Sequence, residues 1–409
     1  MLTFLEARRI VLDSVNPLAP VRLPLAEVLG LAAAEELRAP EPVPPFTNSA
    51  MDGFALRAGD TAQASASAPA RLGVLGALPA GGFSAQAVES GTALRIMTGA
   101  PMPQGADAVV PIEAIRSGEG WVEVAHPFRP GANVRREGED IPAGGLVLEA
   151  GTRLGPGEIG VLASTGFGGL LVHPRARVAV ITTGDELVDC AEALAPGRIR
   201  DANIHALGAQ VRAFGALPIP FPRVPDRQGA VESALRQALD TCDMVLTTGG
   251  VSMGDWDFVK PALEAMGAVP LFWRVAQKPG GPLGFWTLTG KPVFGIPGNP
   301  VAAMLMVEEY VRPALRKMMG FRHLHRPERT GLLDQPWARS GADGRTHFLR
   351  VTAREEGGQW RASLTGPQGS GILSSMLKAN ALALIPEDQA SVPAGGAVRL
   401  HLTGMSEDH

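Results

Sequence analysis

Cysteine is nearly absent: Cys190 and Cys242 are the only 2 among 409 residues, too far apart for a C-x-x-C pair and too few for a disulfide framework. The 8 histidines show no zinc-ligand spacing, so no structural zinc site is expected. Positive charge in excess is missing too. Lys+Arg 37 against Asp+Glu 41 leaves a net charge of −4, and no global field exists to hold nucleic acid or an anionic membrane. No apolar run approaches the roughly 20 residues of a membrane span. Glu6, Arg8 and Arg9 interrupt the opening segment, and no apolar stretch of signal-peptide type follows. A cytoplasmic protein with neither nucleic-acid nor membrane partners is the expectation.

What the chain has in abundance is glycine (50) and proline (35), together about one residue in five, so turns and short strands dominate. Hydrophobic residues at 45% suffice for substantial cores. At roughly 100 to 200 residues per domain the length predicts two to four domains.

Thr3 followed by Glu6 is a capping-box pattern opening a first helix that ends at Asn16-Pro17. A second short helix is expected over 24–37, and four prolines between 39 and 46 then make a connector. From about 48 to 141, short β-type runs such as 94–97 and 108–110 alternate with Gly, Pro and Ser clusters. A brief helix over 156–163 starts at a proline. Strands and helices alternate over 177–317: strands at 178–182, near Pro218, at 244–248 and at 292–295, helices at 204–214, 231–239 and 301–315. That order predicts a doubly wound α/β sheet. The remainder, from 326, reads as a small β-barrel or sandwich. The expected domains are a helical one from 1–47 and 141–175, an inserted β module 48–140, an α/β domain 176–325 and a C-terminal β-barrel 326–409.

An open parallel sheet binds ligands beyond the carboxyl ends of its strands. Three such ends carry chemistry: Thr182-Thr183-Gly184-Asp185-Glu186-Leu187, the stretch Thr248-Gly249-Gly250-Val251-Ser252 running on to Asp257, and Pro297-Gly298-Asn299-Pro300. Glycines there let backbone N–H groups approach an oxyanion, although tight turning alone explains any single one of them. Asp185, Glu186 and Asp257 would repel a bare phosphate, a conflict that Mg²⁺ resolves by bridging carboxylate and phosphate oxygens. Asp185 and Glu186 are adjacent, so their side chains diverge and one at most points into a site. Lys278, in Lys278-Pro279-Gly280-Gly281-Pro282, is either aimed at a phosphate or an ordinary surface lysine. Outside this region three further strings stand out: Asn48-Ser49-Ala50-Met51-Asp52-Gly53, Thr98-Gly99-Ala100, and 135–140, which mixes guanidinium groups with acids up to Asp140. An Asx-turn at Asp52 and a solvated charge run at 135–140 are the plainer readings.

Together these strings resemble the molybdopterin molybdenumtransferase family, whose eukaryotic relative forms a domain of gephyrin, and the resemblance spans essentially the whole chain. It implies four structural domains and an elongated homodimer with active sites shared between subunits. It implies a divalent metal, usually Mg²⁺, and exchange of the adenylyl group of adenylated molybdopterin for molybdate, with release of AMP. Carried over by motif, Asp185, Glu186, Asp257 and Lys278 would line the pterin-phosphate and metal site, with Glu186 and Asp257 as metal ligands. Asp52, Thr98 and Asp140 would approach from the partner subunit; Asp52, Asp140, Glu186 and Asp257 are the catalytic candidates. Thr183, Gly184, Gly249, Gly250, Ser252 and Asn299 would contact substrate, and Pro297 and Pro300 would shape the molybdate pocket. The expected protein partners are the adenylyltransferase and molybdoenzyme maturation proteins. One departure matters: Gly281 stands where the family often has a second lysine, leaving Arg274, Arg135 or Arg136 as candidate replacements. No Ser/His/Asp or Cys/His constellation is present, so metal-assisted substitution without a covalent enzyme intermediate is expected. Two other readings remain open at this level: a molybdopterin adenylyltransferase, usually far smaller, and a gephyrin-like scaffold.

Overall fold

The computed structural model describes residues 1–250, 258–339, 341 and 343–404. The chain forms two compact units, one of 36–149 with 155–170, the other of 1–35, 150–154 and 171–409.

The smaller unit is built on a six-stranded sheet in the order Ala108–Pro111, Gly53–Leu56, Thr92–Ile96, Ala70–Leu78, Trp121–Val124, Ile115–Gly118. Side chains alternate across it with the period of two that strands impose. Phe54, Leu56, Val110 and Val122 enter one core, while Ala55, Leu94, Ile96 and Val109 enter another on the opposite face. Gly53 has no alternative, because a Cβ there would lie 2.0 Å from the carbonyl oxygen of Val110. The helix Pro156–Ser164 begins at its proline, as expected.

In the larger unit the Thr3/Glu6 capping box forms as read, and the helix Phe4–Asp13 that it opens buries Phe4, Ala7 and Val11. The helix expected over 24–37 does not exist. A 3₁₀ turn, Leu25–Glu27, is followed by Gly30 at φ +77° and by the strands Ala32–Ala33 and Leu37–Arg38. Alanine and leucine are strong helix formers, but the preference is worth less than about 1 kcal/mol per residue, and pairing of Ala32 and Ala33 with His173 and Val172 overrides it.

The α/β sheet runs Leu217–Pro220, Arg177–Thr182, Met244–Thr248, Lys291–Ile296, Gly284–Leu288, Val269–Trp273. The first four strands are parallel and the last two antiparallel, so the doubly wound core carries an antiparallel edge. Val178 and Val180 face Leu207 and Val211 of the helix Ala202–Ala213. Ala179 and Ile181 face Val231 and Leu235 of the helix Gln228–Thr241 on the other side. The helix expected over 301–315 is interrupted: Pro300–Met306 and Arg312–Met318 flank a π-helical turn, Val307–Val311. Pro313 has no N–H to give and its ring crowds the preceding carbonyls, which the wider turn relieves.

At the C-terminus, Thr346–Glu356, Gln359–Leu364, Glu328–Leu333, Ala397–His401 and Ala381–Ile385 pair in a ring, and the last returns to the first. This five-stranded barrel closes over Leu333, Val351, Ala362 and Leu400. The strand Gln277–Lys278 pairs in parallel with Thr346 and His347, joining the α/β region to the barrel wall.

Candidate functional site

Parallel register decides where the three marked turns go. Thr182 pairs with Thr248, and Thr248 with Ile296, so the segments beginning at Thr183, Gly249 and Pro297 leave the sheet side by side. Thr183 N–H donates to Thr248 O at 3.0 Å, and Gly249 N–H to Ile296 O at 3.2 Å. Gly249 sits at φ +90°, and a Cβ on it would come within 2.4 Å of Thr183 O, so the close approach of these two turns requires glycine. Asn203, held in the first turn of its helix by the Asp201 cap, donates to Thr248 Oγ1 at 2.9 Å and to Gly298 O at 2.8 Å. Among the described residues Thr182 Oγ1, Thr183 Oγ1 and Asn203 Oδ1 are buried with no hydrogen-bond partner. Buried polar atoms without partners are uncommon, and here they cluster where the sheet opens.

Beside these turns lies a cavity of about 510 Å³, whose walls include Gly249, Gly250, Lys278, Gly280, Pro297 and Asn299. Its far wall belongs to the barrel: Arg345, Gln368, Gly369 and Ser370. The Lys278 loop is stiffened from behind. Buried Gln277 donates to Gly280 O at 3.2 Å and accepts a hydrogen bond from the Tyr310 hydroxyl. Burial, then the neighbouring Glu309 charge, pushes the Tyr310 hydroxyl well above its ordinary range, so it remains a donor. Arg345 is paired with Asp343 at 3.1 Å. Burial works against that carboxylate, but hydrogen bonds from His347 and Arg345 outweigh it and hold Asp343 ionised below the usual range. Two cations, one from each fold, therefore face a space lined by glycine backbone and amide side chains.

The described acids lie on segments that leave the strand ends, where Thr183 bridges to Val224. Asp185 N–H donates to the Asp226 carboxylate at 3.2 Å, and Asp226 N–H to Asp185 at 3.4 Å, while the Glu186 carboxylate folds back over Gly184. Ser252 and Asp257 lie outside the described residues. Among the described residues no group of three or more His, Cys, Asp or Glu is arranged to hold a metal ion. The described donors there are the carboxylates of Asp185, Glu186 and Asp226, and one or two carboxylates completed by phosphate oxygens are what Mg²⁺ takes. The donor chemistry fits.

In the smaller unit the three marked strings converge by backbone pairing. Asn48–Ser49 pairs with Val134–Arg135, and Ser49 exchanges hydrogen bonds with Gly99 N–H at 2.8 Å and Ala100 O at 3.0 Å. Asp52 accepts from both the backbone N–H and the hydroxyl of Thr98 at 2.7 Å, and these bonds, the backbone one first, keep its carboxyl below the usual range. Asp140 is exposed, its backbone N–H bonded to Val43 O at 3.1 Å.

Arg345, Gln368, Ser370, Asn203 and Asp226 were not singled out from sequence. Asn203 sits just after a helix cap and Arg345 in a glycine-containing turn, and neither position carries a motif. The cation that joins Lys278 in lining the cavity is Arg345, not Arg274.

Comparison with known proteins agrees along the chain. Residues 2–166 match "MoeA N-terminal region (domain I and II)", 179–317 match "Probable molybdopterin binding domain" and 338–402 match "MoeA C-terminal region (domain IV)". The chain is 36% identical over 398 residues to Molybdopterin molybdenumtransferase 2 of Mycobacterium tuberculosis, covering 95% of this chain and 96% of that protein. It is 34% identical over 411 residues to the Haemophilus influenzae molybdopterin molybdenumtransferase, covering 99% and 100%. Among solved structures, the molybdopterin biosynthesis MoeA protein of Pyrococcus horikoshii matches with a TM-score of 0.82 at 31% identity, over 98% of this chain and 100% of its own.

Proposed function

Because this chain belongs to the molybdopterin molybdenumtransferase family and is an enzyme of that type, acting in molybdenum cofactor biosynthesis, we propose that it inserts molybdate into adenylated molybdopterin with release of AMP. The observation that carries this reading is the cavity at the carboxyl edge of the sheet. Lys278 and Arg345 converge there on glycine turns, as a phosphorylated substrate requires.

The residues divide the work by chemistry. Lys278 and Arg345 attract and orient the anionic groups, and the backbone N–H of Gly250 supplies a further donor without reorganisation. The walls around Pro297 and Pro300 shape the part of the cavity that takes molybdate. Asp185, Glu186, Asp226 and Asp257 are the groups to hold Mg²⁺, with Glu186 and Asp257 as the first candidates. Held by these residues, Mg²⁺ would supply positive charge to offset the charge that develops on the phosphate oxygens. Asp52 and Asp140, with Thr98, complete the site from a second subunit of a homodimer, and the four-domain division given above is the working organisation.

The test is molybdate-dependent AMP release from purified adenylated molybdopterin, repeated for Asp52→Asn, Asp140→Asn and Asp257→Asn. At least one of the three is expected to lose most turnover while keeping its fold, and wild-type rates in all three would reject the metal-carboxylate site. Mixed heterodimers of two inactive variants, Asp52→Asn and Asp257→Asn, should regain activity if subunits share sites.

A further inference from the structure

Three segments that line the carboxyl-edge cavity are tied together through one side chain, Gln277, which is 0% exposed. Its backbone belongs to the two-residue strand Gln277–Lys278, where side chains alternate, so Gln277 points inward and Lys278 outward. That strand pairs with Thr346 and His347, next to Arg345, and Ala276 O accepts from the Thr346 N–H at 3.0 Å. The side-chain amide spans the rest. Its Nε2 donates to Gly280 O at 3.2 Å and to Met306 Sδ at 2.7 Å, and its Oε1 accepts from the Tyr310 hydroxyl. Met306 ends the helix Pro300–Met306, which begins at the Pro297-Gly298-Asn299 turn, and Tyr310 follows in the π-helical turn Val307–Val311.

Packing alone does not account for this arrangement. Tyr310 meets Phe4 edge-on at 5.6 Å between ring centroids, a contact that phenylalanine would make equally well. Pro313 accounts for a wider turn, and not for a hydroxyl within it. Leu305, Val307 and Phe348 belong to the same apolar core. A buried hydroxyl and a buried amide satisfy one another there, yet an apolar pair of the same shape is generally about as stable. What the polar pair adds is direction. The Tyr310 hydroxyl, kept a donor by burial and the Glu309 charge, fixes the amide with its oxygen toward the ring and its nitrogen toward Gly280. The reverse orientation would set Oε1 against Gly280 O, one acceptor facing another. Gly280 answers from the other side. At φ +89° a Cβ on it would lie 2.5 Å from Met306 Cε, so the loop is pressed onto the helix.

We propose that Gln277, oriented by Tyr310, is a positioning residue for the molybdenum-transfer reaction: it holds Lys278 in a fixed place relative to Arg345 and the Pro297 turn. This role rests on the reaction assigned above, which gives Lys278 its anionic target. Lys278 is exposed on a flexible stem, so without a rigid base its ammonium would spread over many positions. A donor aimed at developing charge is effective only while it stays in place.

The test pairs turnover with a measurement that needs no substrate. Tyr310→Phe keeps the ring and removes the donor. Its kcat/KM for AMP release from adenylated molybdopterin should fall by about tenfold or more, with the melting temperature within a few degrees of wild type. The N–H groups of Val275 and Leu283 close the loop by donating to Gly281 O at 2.9 and 3.0 Å. In ligand-free full-length protein their amide exchange should quicken by about tenfold, while the strand Met244–Thr248 keeps its protection. In a Lys278→Ala background the same substitution should cost little or nothing further in turnover, since no ammonium remains to misplace. Joined with Gln277→Met, which leaves an apolar pair, it should match wild type in melting temperature without matching it in turnover. Unchanged exchange, wild-type turnover in Tyr310→Phe or in the apolar pair, or a loss that persists in full without Lys278 would overturn the proposal. Wild-type protein that releases no AMP would overturn the reaction instead, and the exchange measurement would still judge the hold on the loop.

Discussion

The two edges of one parallel sheet have opposite characters. At the carboxyl edge the chain turns on glycine and proline, hydroxyls are buried without partners, and Lys278 and Arg345 line the cavity. At the amino edge helix carboxyl ends gather, and the side chains that answer their carbonyls are arginines of a single sign. Strand direction sets this asymmetry, since every parallel strand delivers its turn to one side and receives its helix end from the other. Glycine turns with two converging cations suit chemistry on a bound group, whereas arginines held by helix-end carbonyls suit closing the opposite edge.

Lys278→Ala breaks the comparison most directly. It should reduce kcat/KM for molybdate-dependent AMP release by about 10²- to 10³-fold, as loss of one preorganised donor does. Circular dichroism should stay native, because Lys278 is exposed. Gly249→Ala comes next. Its Cβ would meet Thr183 O at 2.4 Å from a backbone at φ +90°, so about 1 to 3 kcal/mol of stability should be lost and the strand-end turns displaced. Chemical denaturation measures the first effect and AMP release the second.

A pH experiment sharpens the contrast by probing the barrel that supplies Arg345. Asp334, hydrogen-bonded first by the Ser363 hydroxyl and then by Arg354, has its carboxyl lowered to about 2. A carboxyl depressed on folding stabilises the native state above its unfolded value, and that stability drains away as pH falls toward 2. Asp334→Asn should therefore lower the melting temperature at pH 7, with the difference shrinking as pH falls and vanishing only below pH 2. The smallest effect is expected of Gly281→Lys. A Cβ there would sit 3.4 Å from Gln277 O and 3.6 Å from Val275 O, an ordinary contact, so a second lysine fits. Its exposed charge should lower the substrate KM by a few-fold at low salt, equivalent to about 0.5 to 1 kcal/mol. No change at low salt would show that Arg345 already provides what that position supplies elsewhere in the family.

Much of the architecture was legible in advance because it rests on local rules. The capping box at Thr3, the proline-initiated helix at Pro156 and the strand at Met244–Thr248 each follow from a few neighbouring residues. The segment 24–37 was misjudged for the complementary reason: its short strands exist only because residues more than 100 positions away pair with them. Motif reading located the glycine turns and Lys278, since such strings are unusual in themselves. It missed Arg345 and Asn203, since a lone Asn or Arg in sequence has no pattern to mark it.

Periodicity, caps and turn residues thus determined on their own that this chain would build an α/β sheet with phosphate-type turns at one edge. Only the folded protein decided which cations meet at each edge. Side chains separated by tens to hundreds of residues are brought together by sheet order and barrel closure, and that assembly follows from long-range pairing that no short stretch of sequence encodes.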